Sequence, residues 1–336
     1  MKSRNGENME SRQLSQNSGH AVGPSPFLQL YYFLKPAIPR RLQIKLRNFQ
    51  ARSIRGRYAD AWPISASSAA PPPYWSGWKD QKQFALILTH DVDTQKGYRN
   101  LFKLLQIDKE MGFVSAFNFV PEKRYPIDEE DLQKIKENGF EIGVHGLCHD
   151  GKLLRSEAAF LKRAEKINHY LEKWGACGFR APAMHHDLEL FKHLHIRYDA
   201  STFDTDPYEP QSDGVNTIFP FYVTDKSGSI AYWELPYTLP QDSTLFIILR
   251  EKDIGIWTQK LDWIAEKGGM ALLNVHPDYM CFNGHGPSYE TYPASYYRSF
   301  LGHIRRKYAD KYWNPVPRDM VPFLDQTYGS PVERAA

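Results

Sequence analysis

The chain has 336 residues, 42 % hydrophobic and 24 % charged, with 42 basic against 39 acidic side chains for a formal net charge of +3. These values exclude a wholly disordered or collagen-like chain, and so small a charge excess gives no case for a nucleic-acid partner. The three cysteines, Cys148, Cys177 and Cys281, are widely spaced with no C-x-x-C pair, so neither a disulfide framework nor a thiolate zinc site is expected.

Residues 1–25 are rich in Ser, Asn, Gln and Gly and carry almost no large apolar side chain, which predicts a disordered N-terminal tail. No apolar h-region follows Met1, and no run of ~18 apolar residues occurs anywhere, so a cytoplasmic protein without a spanning helix is expected. Residues 26–80 form a basic amphipathic arm followed by a Pro-rich linker. Leu28, Tyr31, Leu42, Ile44, Leu46 and Phe49 alternate there with Lys35, Arg40, Arg41, Lys45, Arg47 and Arg52, with no acidic residue between Phe27 and Tyr58. Residues 35–57 could therefore lie on an anionic membrane, which would make the protein peripheral at the inner face of the cell membrane. Packing of the apolar face on the main domain is the commoner fate of such a helix.

From Phe84 strand-like and helix-like segments alternate, the pattern of an α/β domain with a parallel sheet. The expected strands are Phe84–Thr89, Ser115–Val120, Phe140–Val144, Gly178–Arg180, Arg197–Ser201, Ala231–Glu234, Leu245–Leu249 and Met270–Val275. Between them fall helices at Tyr98–Met111, Glu129–Asn138, Ser156–Trp174, Leu188–Leu194, Asp253–Lys267 and Ala294–Tyr308. Ser156 reads as an N-cap, and Gly112 and Gly139 stand where C-caps belong. The size fits a distorted (β/α) barrel of about seven strands over residues 81–320, followed by a C-terminal tail at 321–336.

Chemistry-bearing residues cluster just beyond the predicted strands. Thr89-His90-Asp91-Val92-Asp93 follows an apolar run, and in an extended segment its two carboxylates point to one side. Like charges held so close call for a cation or a proton. After Phe140–Val144 comes His145-Gly146-Leu147-Cys148-His149, whose two imidazoles with one carboxylate would leave coordination positions open for water and substrate. A lone His-x-x-x-His is weak evidence among twelve histidines. The order strengthens it, because Arg180-Ala181-Pro182, the stretch Asp199–Asp206 and Asn274-Val275-His276-Pro277-Asp278 each follow a further strand. Arg180 has a candidate mate in Asp91, and His276 suits acid catalysis.

Taken together these five blocks resemble, in order, those of the polysaccharide deacetylases, carbohydrate esterase family four or NodB-homology type, over roughly Phe84 to Tyr312. The resemblance implies Asp91 as general base and Asp93, His145 and His149 as ligands of a divalent metal. It implies Arg180 holding the base, His276 as general acid, and Asp204 or Asp206 orienting that histidine. Three positions depart from the common pattern: Val92 separates the carboxylates and His90 replaces a Phe, Gly146 stands where Ser or Thr is usual, and Pro207-Tyr208 replaces a frequent Trp. The Asp-x-Asp form, with Trp233–Asp242 and His276–Met280, is similar to a branch associated with bacterial surface-polysaccharide biosynthesis.

The implied activity is hydrolysis of an acetyl group, N-acetyl before O-acetyl, from a sugar of such a polysaccharide or its precursor. Zn²⁺ is the first candidate metal, with Co²⁺, Fe²⁺ and Ni²⁺ also compatible with the donor set. Trp233, Tyr237 and Tyr279 are candidate walls for a sugar ring. Competing readings are a cyclic-amide or other C–N hydrolase on the same barrel and a non-catalytic glycan-binding relative.

Overall fold

The computed structural model describes residues 39–73, 75–282 and 286–328, so the expected tail at 1–25 lies outside the described residues. The chain divides into two units at Gln43/Ile44, and of the first only Pro39–Gln43 is described. α1 (Arg40–Arg55) begins there, and the second unit, from Ile44 onward, carries the sheet and the remaining helices. In chain order these are β1 (Phe84–Val92), α2 (Gln95–Met111), β2 (Ala116–Phe119), α3 (Glu129–Glu137), β3 (Glu141–His145), α4 (Glu157–Trp174), β4 (Gly178–Arg180) and α5 (Leu188–Phe191). They continue with β5 (Tyr198–Asp199), β6 (Phe221–Thr224), β7 (Ile230–Glu234), α6 (Gly255–Lys267), β8 (Met270–Val275), β9 (Met280–Cys281), β10 (Tyr292–Pro293), α7 (Ala294–Lys307), β11 (Tyr312–Trp313) and α8 (Pro317–Tyr328).

The main sheet runs β11-β1-β2-β3-β4-β5-β7-β6, with β8 on the other side of β1, and every pairing is parallel except β6 with β7. All nine residues of β1 are buried, as expected for a central parallel strand covered on both faces. The curled sheet closes where the chain after β7 meets its neighbours through isolated parallel bridges, Phe203 with Tyr237 and Leu239 with Leu273. The Thr238 hydroxyl reinforces that seam, donating to the Met270 carbonyl at 2.7 Å and accepting from the Leu272 amide at 3.0 Å. The result is a distorted (β/α) barrel. Its parallel strands bring their C-terminal ends, and with them Asp91, Asn118, His145, Arg180 and Asn274, to one rim.

Local chemistry accounts for the element ends. The Ser156 side chain accepts from the Ala159 amide at the start of α4, and Gly112 ends α2 in the left-handed region at φ 74°. One expected strand is wrong: Leu245–Leu249 belongs to a π-helical segment, Ser243–Leu249. Its continuous apolar run is fully buried, and burial on all sides erases the periodicity that separates strand from helix. The barrel also extends past the expected boundary at 320, because Met320, Val321 and Leu324 of α8 are buried. Trp233 Nε1 and Arg197 both donate to Asp325 of that helix at 2.8 Å.

Two buried carboxyls tie the layers together. Asp108 on α2 accepts from His90 Nε2 at 2.7 Å, Ser115 Oγ at 2.8 Å and Tyr297 OH at 2.7 Å, joining β1, the residue that leads into β2, and α7 to one side chain. Glu141, at the start of β3, accepts from Tyr198 OH and the Arg318 amide at 2.9 Å each, and burial pushes its carboxyl up to about 7. A carboxyl raised on folding favours the native state below its unfolded pKa and withdraws that support as pH climbs through the folded value. The melting temperature is therefore expected to fall between about pH 5 and pH 8, with a Glu141 share of about 3 kcal/mol. Glu141→Gln should flatten that slope in thermal melts across the same range, and an unchanged slope would contradict this account.

Candidate metal centre and acid–base pair

Asp93 lies just past β1, and its Oδ1 faces His145 Nε2 and His149 Nε2 at 3.3 Å each. His145 ends β3, and its Nδ1 lies 3.0 Å from the Arg180 carbonyl, which can only accept. That contact puts a proton on Nδ1, so the neutral form of the ring would aim its Nε2 lone pair at Asp93. Asp93 Oδ1 is buried and has no hydrogen-bond partner among the described residues. Three acceptor atoms, all within 4.8 Å of one another, thus converge on a place that needs positive charge. A divalent cation fits that donor set and would leave coordination positions open. Burial pushes the Asp93 carboxyl up, but the His149 and His145 imidazoles beside Oδ1 outweigh it and hold the group well below the usual carboxylate range.

The loops that carry these ligands are fastened from several directions. The Asp278 carboxylate accepts from the Asp93 amide at 3.1 Å and from the Thr94 hydroxyl, while Arg124 Nε donates to the Asp93 carbonyl at 3.0 Å. Gly146 explains one departure in the sequence. Its backbone is left-handed at φ 61°, and a Cβ there would come within 2.6 Å of the Pro182 ring, so a side chain would separate the His block from the Arg180-Ala181-Pro182 block. His90 is accounted for as well, since it is fully buried on the opposite face of β1 and serves Asp108.

Asp91, beside this centre, accepts from Asn118 Nδ2 on Oδ1 and from Asn274 Nδ2 on Oδ2, both at 2.8 Å. Arg180 Nη1 stands 3.7 Å from Asp91 Oδ2 and donates to the Thr89 hydroxyl at 2.9 Å, so the guanidinium lends charge while the two amides make the hydrogen bonds. Gly143 makes room for this arrangement, because a Cβ would lie 2.3 Å from Asn118 Oδ1. Burial pushes the Asp91 carboxyl up, and the charges of His145, Arg180 and His276 more than reverse that, keeping it ionised.

Facing Asp91 Oδ2 at 3.9 Å is Nε2 of His276, just past β8. The other ring nitrogen, Nδ1, lies 2.7 Å from Asp242 Oδ1, and Asp242 Oδ2 also accepts from the His276 amide at 2.9 Å and Tyr292 OH at 3.0 Å. Burial pulls the imidazole down, but Asp242, then Asp93 and Asp91, push it up to about 10. A cation at Asp93 would take back the share owed to the last two.

The expected orienting residues are elsewhere. Asp204 pairs with Lys260 at 2.6 Å, and burial pushes its carboxyl up to about 6. Asp206 accepts from the Tyr208 amide at 2.9 Å and meets Tyr237 OH at 3.0 Å, and burial together with the Glu209 charge pushes it up to about 8. Asp242, which the sequence reading passed over, stands against His276 in their place. Of the aromatic candidates, Trp233 and Tyr237 are each 1 % exposed and offer no face to a ligand, whereas Tyr279 is partly exposed with its ring centroid 5.1 Å from that of His276.

No protein-family model matches the chain, and no curated protein matches it either. Among solved structures, a crystal structure from Mycobacterium smegmatis named for a polysaccharide deacetylase superposes with a TM-score of 0.59 at 18 % identity, covering 76 % of this chain and 95 % of that one. The fold is that of a polysaccharide deacetylase. A pseudoenzyme of carbohydrate esterase family four from Bacillus anthracis follows at a TM-score of 0.43 and 13 % identity, over 72 % of this chain and 66 % of that one. A Bordetella bronchiseptica chain named for O-antigen biosynthesis reaches a TM-score of 0.38 at 17 % identity, over 59 % of this chain and 73 % of its own. Within the polysaccharide-deacetylase fold, the rim at the strand C-termini carries Asp93, His145, His149, Asp91 and His276, the residues singled out from the five blocks. The additions made by the structure are Asn118, Asn274 and Asp242.

Proposed function

We propose that this protein is a metal-dependent hydrolase that removes an acetyl group, N-acetyl before O-acetyl, from a sugar of a bacterial surface polysaccharide or its precursor. One observation carries the reading: a carboxylate and an imidazole, Asp91 and His276, face each other at 3.9 Å beside a buried Asp-His-His cluster. A divalent cation held by Asp93, His145 and His149, with Zn²⁺ the first candidate, would polarise the acetyl carbonyl and acidify water. Asp91, its two oxygens held by Asn118 and Asn274, removes a proton from the attacking water. His276 gives its Nε2 proton to the nitrogen as the C–N bond breaks, so water and the acetamide leave as acetate and a free amine. Asp242 keeps Nδ1–H engaged throughout and stabilises the imidazolium before that transfer. Tyr279 is positioned to border the sugar.

Elemental analysis after metal repletion and dialysis tests the centre. The parent should hold about one transition-metal ion per chain, and Asp93→Ala and His149→Ala should lose it together with acetate release from N-acetylated oligosaccharides. A repleted parent that binds no metal would overturn the catalytic reading.

A further inference from the structure

The basic arm acquires two distinct faces in the fold. Ile44 and Ala51 of α1 are each 3 % exposed, Asn48 Nδ2 donates to the Ile248 carbonyl at 2.5 Å, and Arg55 pairs with Glu251 at 2.7 Å. One side of the helix is therefore fastened to the π-helical segment and the loop after it. Leu46 is 49 % and Phe49 76 % exposed on the other side, and Tyr58 just beyond the helix is 43 % exposed. Leu42, at the same helical spacing, is 47 % exposed. Four of the six large apolar residues exposed among the described residues thus come from this one short stretch.

Exposed cations alternate with them along the chain. Lys45, Arg52 and Arg57 are exposed, and α1 carries six basic residues and no acidic one, in a chain whose whole charge is only +3. Scattered apolar residues on a surface need no explanation, but Leu42, Leu46 and Phe49 follow one another along a helix whose charged residues are all basic. A protein core would satisfy the apolar side chains and leave the cations unmatched. A layer of anionic headgroups above acyl chains matches both.

We propose that α1 docks the protein on an anionic lipid bilayer, with Leu46 and Phe49 inserted at the boundary of the acyl chains and Lys45, Arg52 and Arg57 among the phosphates. The helix is already tethered on its inner side, so docking would not require it to leave the barrel. The tether ends on the π-helical segment, which opens at Asp242, and the Arg47 charge acts on Glu209, so the docked helix would hold the His276 side of the rim near the bilayer. Resting on the deacetylase reading, a corollary is that the substrate is a glycan carried on a lipid. The docking itself does not depend on that reading.

Vesicle co-sedimentation with the full chain tests it without any activity measurement. The protein should partition onto phosphatidylcholine–phosphatidylglycerol vesicles and not onto phosphatidylcholine alone, and the binding should weaken as salt rises. Leu46→Glu combined with Phe49→Glu should lower the partition coefficient at least about tenfold with the thermal melt unchanged. Phe102→Glu, at an exposed apolar residue of α2, should leave it unaltered. Should the double variant fail to fold, Lys45→Glu with Arg52→Glu gives the same test through charge. Absent binding to anionic vesicles, equal binding to both vesicle types, or full binding by the variants would each overturn the proposal. So would a parent that forms dimers and ignores vesicles while the double variant is monomeric, because the occupant of the face would then be a second copy.

Discussion

Asp242→Asn is expected to lower kcat by about 10²–10⁴-fold while leaving the metal content and the KM for an acetylated sugar nearly unchanged. Asp242 is fully buried and holds His276 twice, through the ring Nδ1 and through the backbone amide, with Tyr292 OH as a further donor. An amide in its place offers one acceptor instead of two and brings no charge to stabilise the imidazolium, so the ring loses both its fixed tautomer and its proton affinity. The alkaline limb of the pH–rate profile, set by the general acid His276, should shift to lower pH accordingly. Asp204→Asn and Asp206→Asn should behave differently, since one carboxyl serves Lys260 and the other Tyr237. Their cost should appear in the melt, and kcat should move by no more than a few-fold. If Asp242→Asn turned over at the parental rate while either of the others did not, the assignment made from the 2.7 Å contact would be wrong.

The largest loss of stability is expected from Asp108→Ala, about 3 kcal/mol or more. The carboxylate satisfies the His90 ring, the Ser115 hydroxyl and the Tyr297 hydroxyl, all fully buried, and alanine would strand all three donors away from water. Melting should drop by roughly 6–12 °C for a domain of this size. Asp108→Asn should cost less, because the amide oxygen keeps an acceptor for at least one of them. The measurement is a pair of thermal or urea melts, and a loss under about 1 kcal/mol for alanine would show that the site relaxes or admits water.

Much of this architecture was legible in the sequence because strand, helix and rim leave different marks. The six-residue run Met270–Val275 and the three residues of Gly178–Arg180 were located to the residue, since each is mostly apolar or small and its end is marked by a polar side chain, His276 just past the first and Arg180 closing the second. Asp93, His145 and His149 were legible because metal chemistry restricts residue type as well as spacing. Asn118 and Asn274 left a fainter mark, a single amide in an otherwise apolar strand, and pairing reveals what the order along the chain does not. Asn118 lies directly opposite Asp91 in register, and Asn274 opposite Thr89, two residues earlier. Asp242 was illegible for a different reason. It stands at the mouth of a segment whose apolar residues are buried on every side, so neither its helical character nor the direction of its first side chain follows from periodicity. Trp233 and Tyr237 were misjudged because an aromatic ring near a strand end can face the lumen, the seam or a closing helix, and only the packing decides.

The origin of that carboxylate bears on how chains of this kind are compared. His276 is oriented from the turn that opens the π-helical segment, beyond the closing seam, and not from the Asp-rich stretch at 199–206. The hydrogen bond to that ring nitrogen is thus supplied by a residue that the order of the five blocks does not point to. An aspartate missing from that stretch in some other chain of this form says nothing about whether its histidine is held, and one that is present need not be the residue that holds it. Whether such a chain is active or inert is a property of the assembled rim, to be judged by which carboxylate reaches the ring.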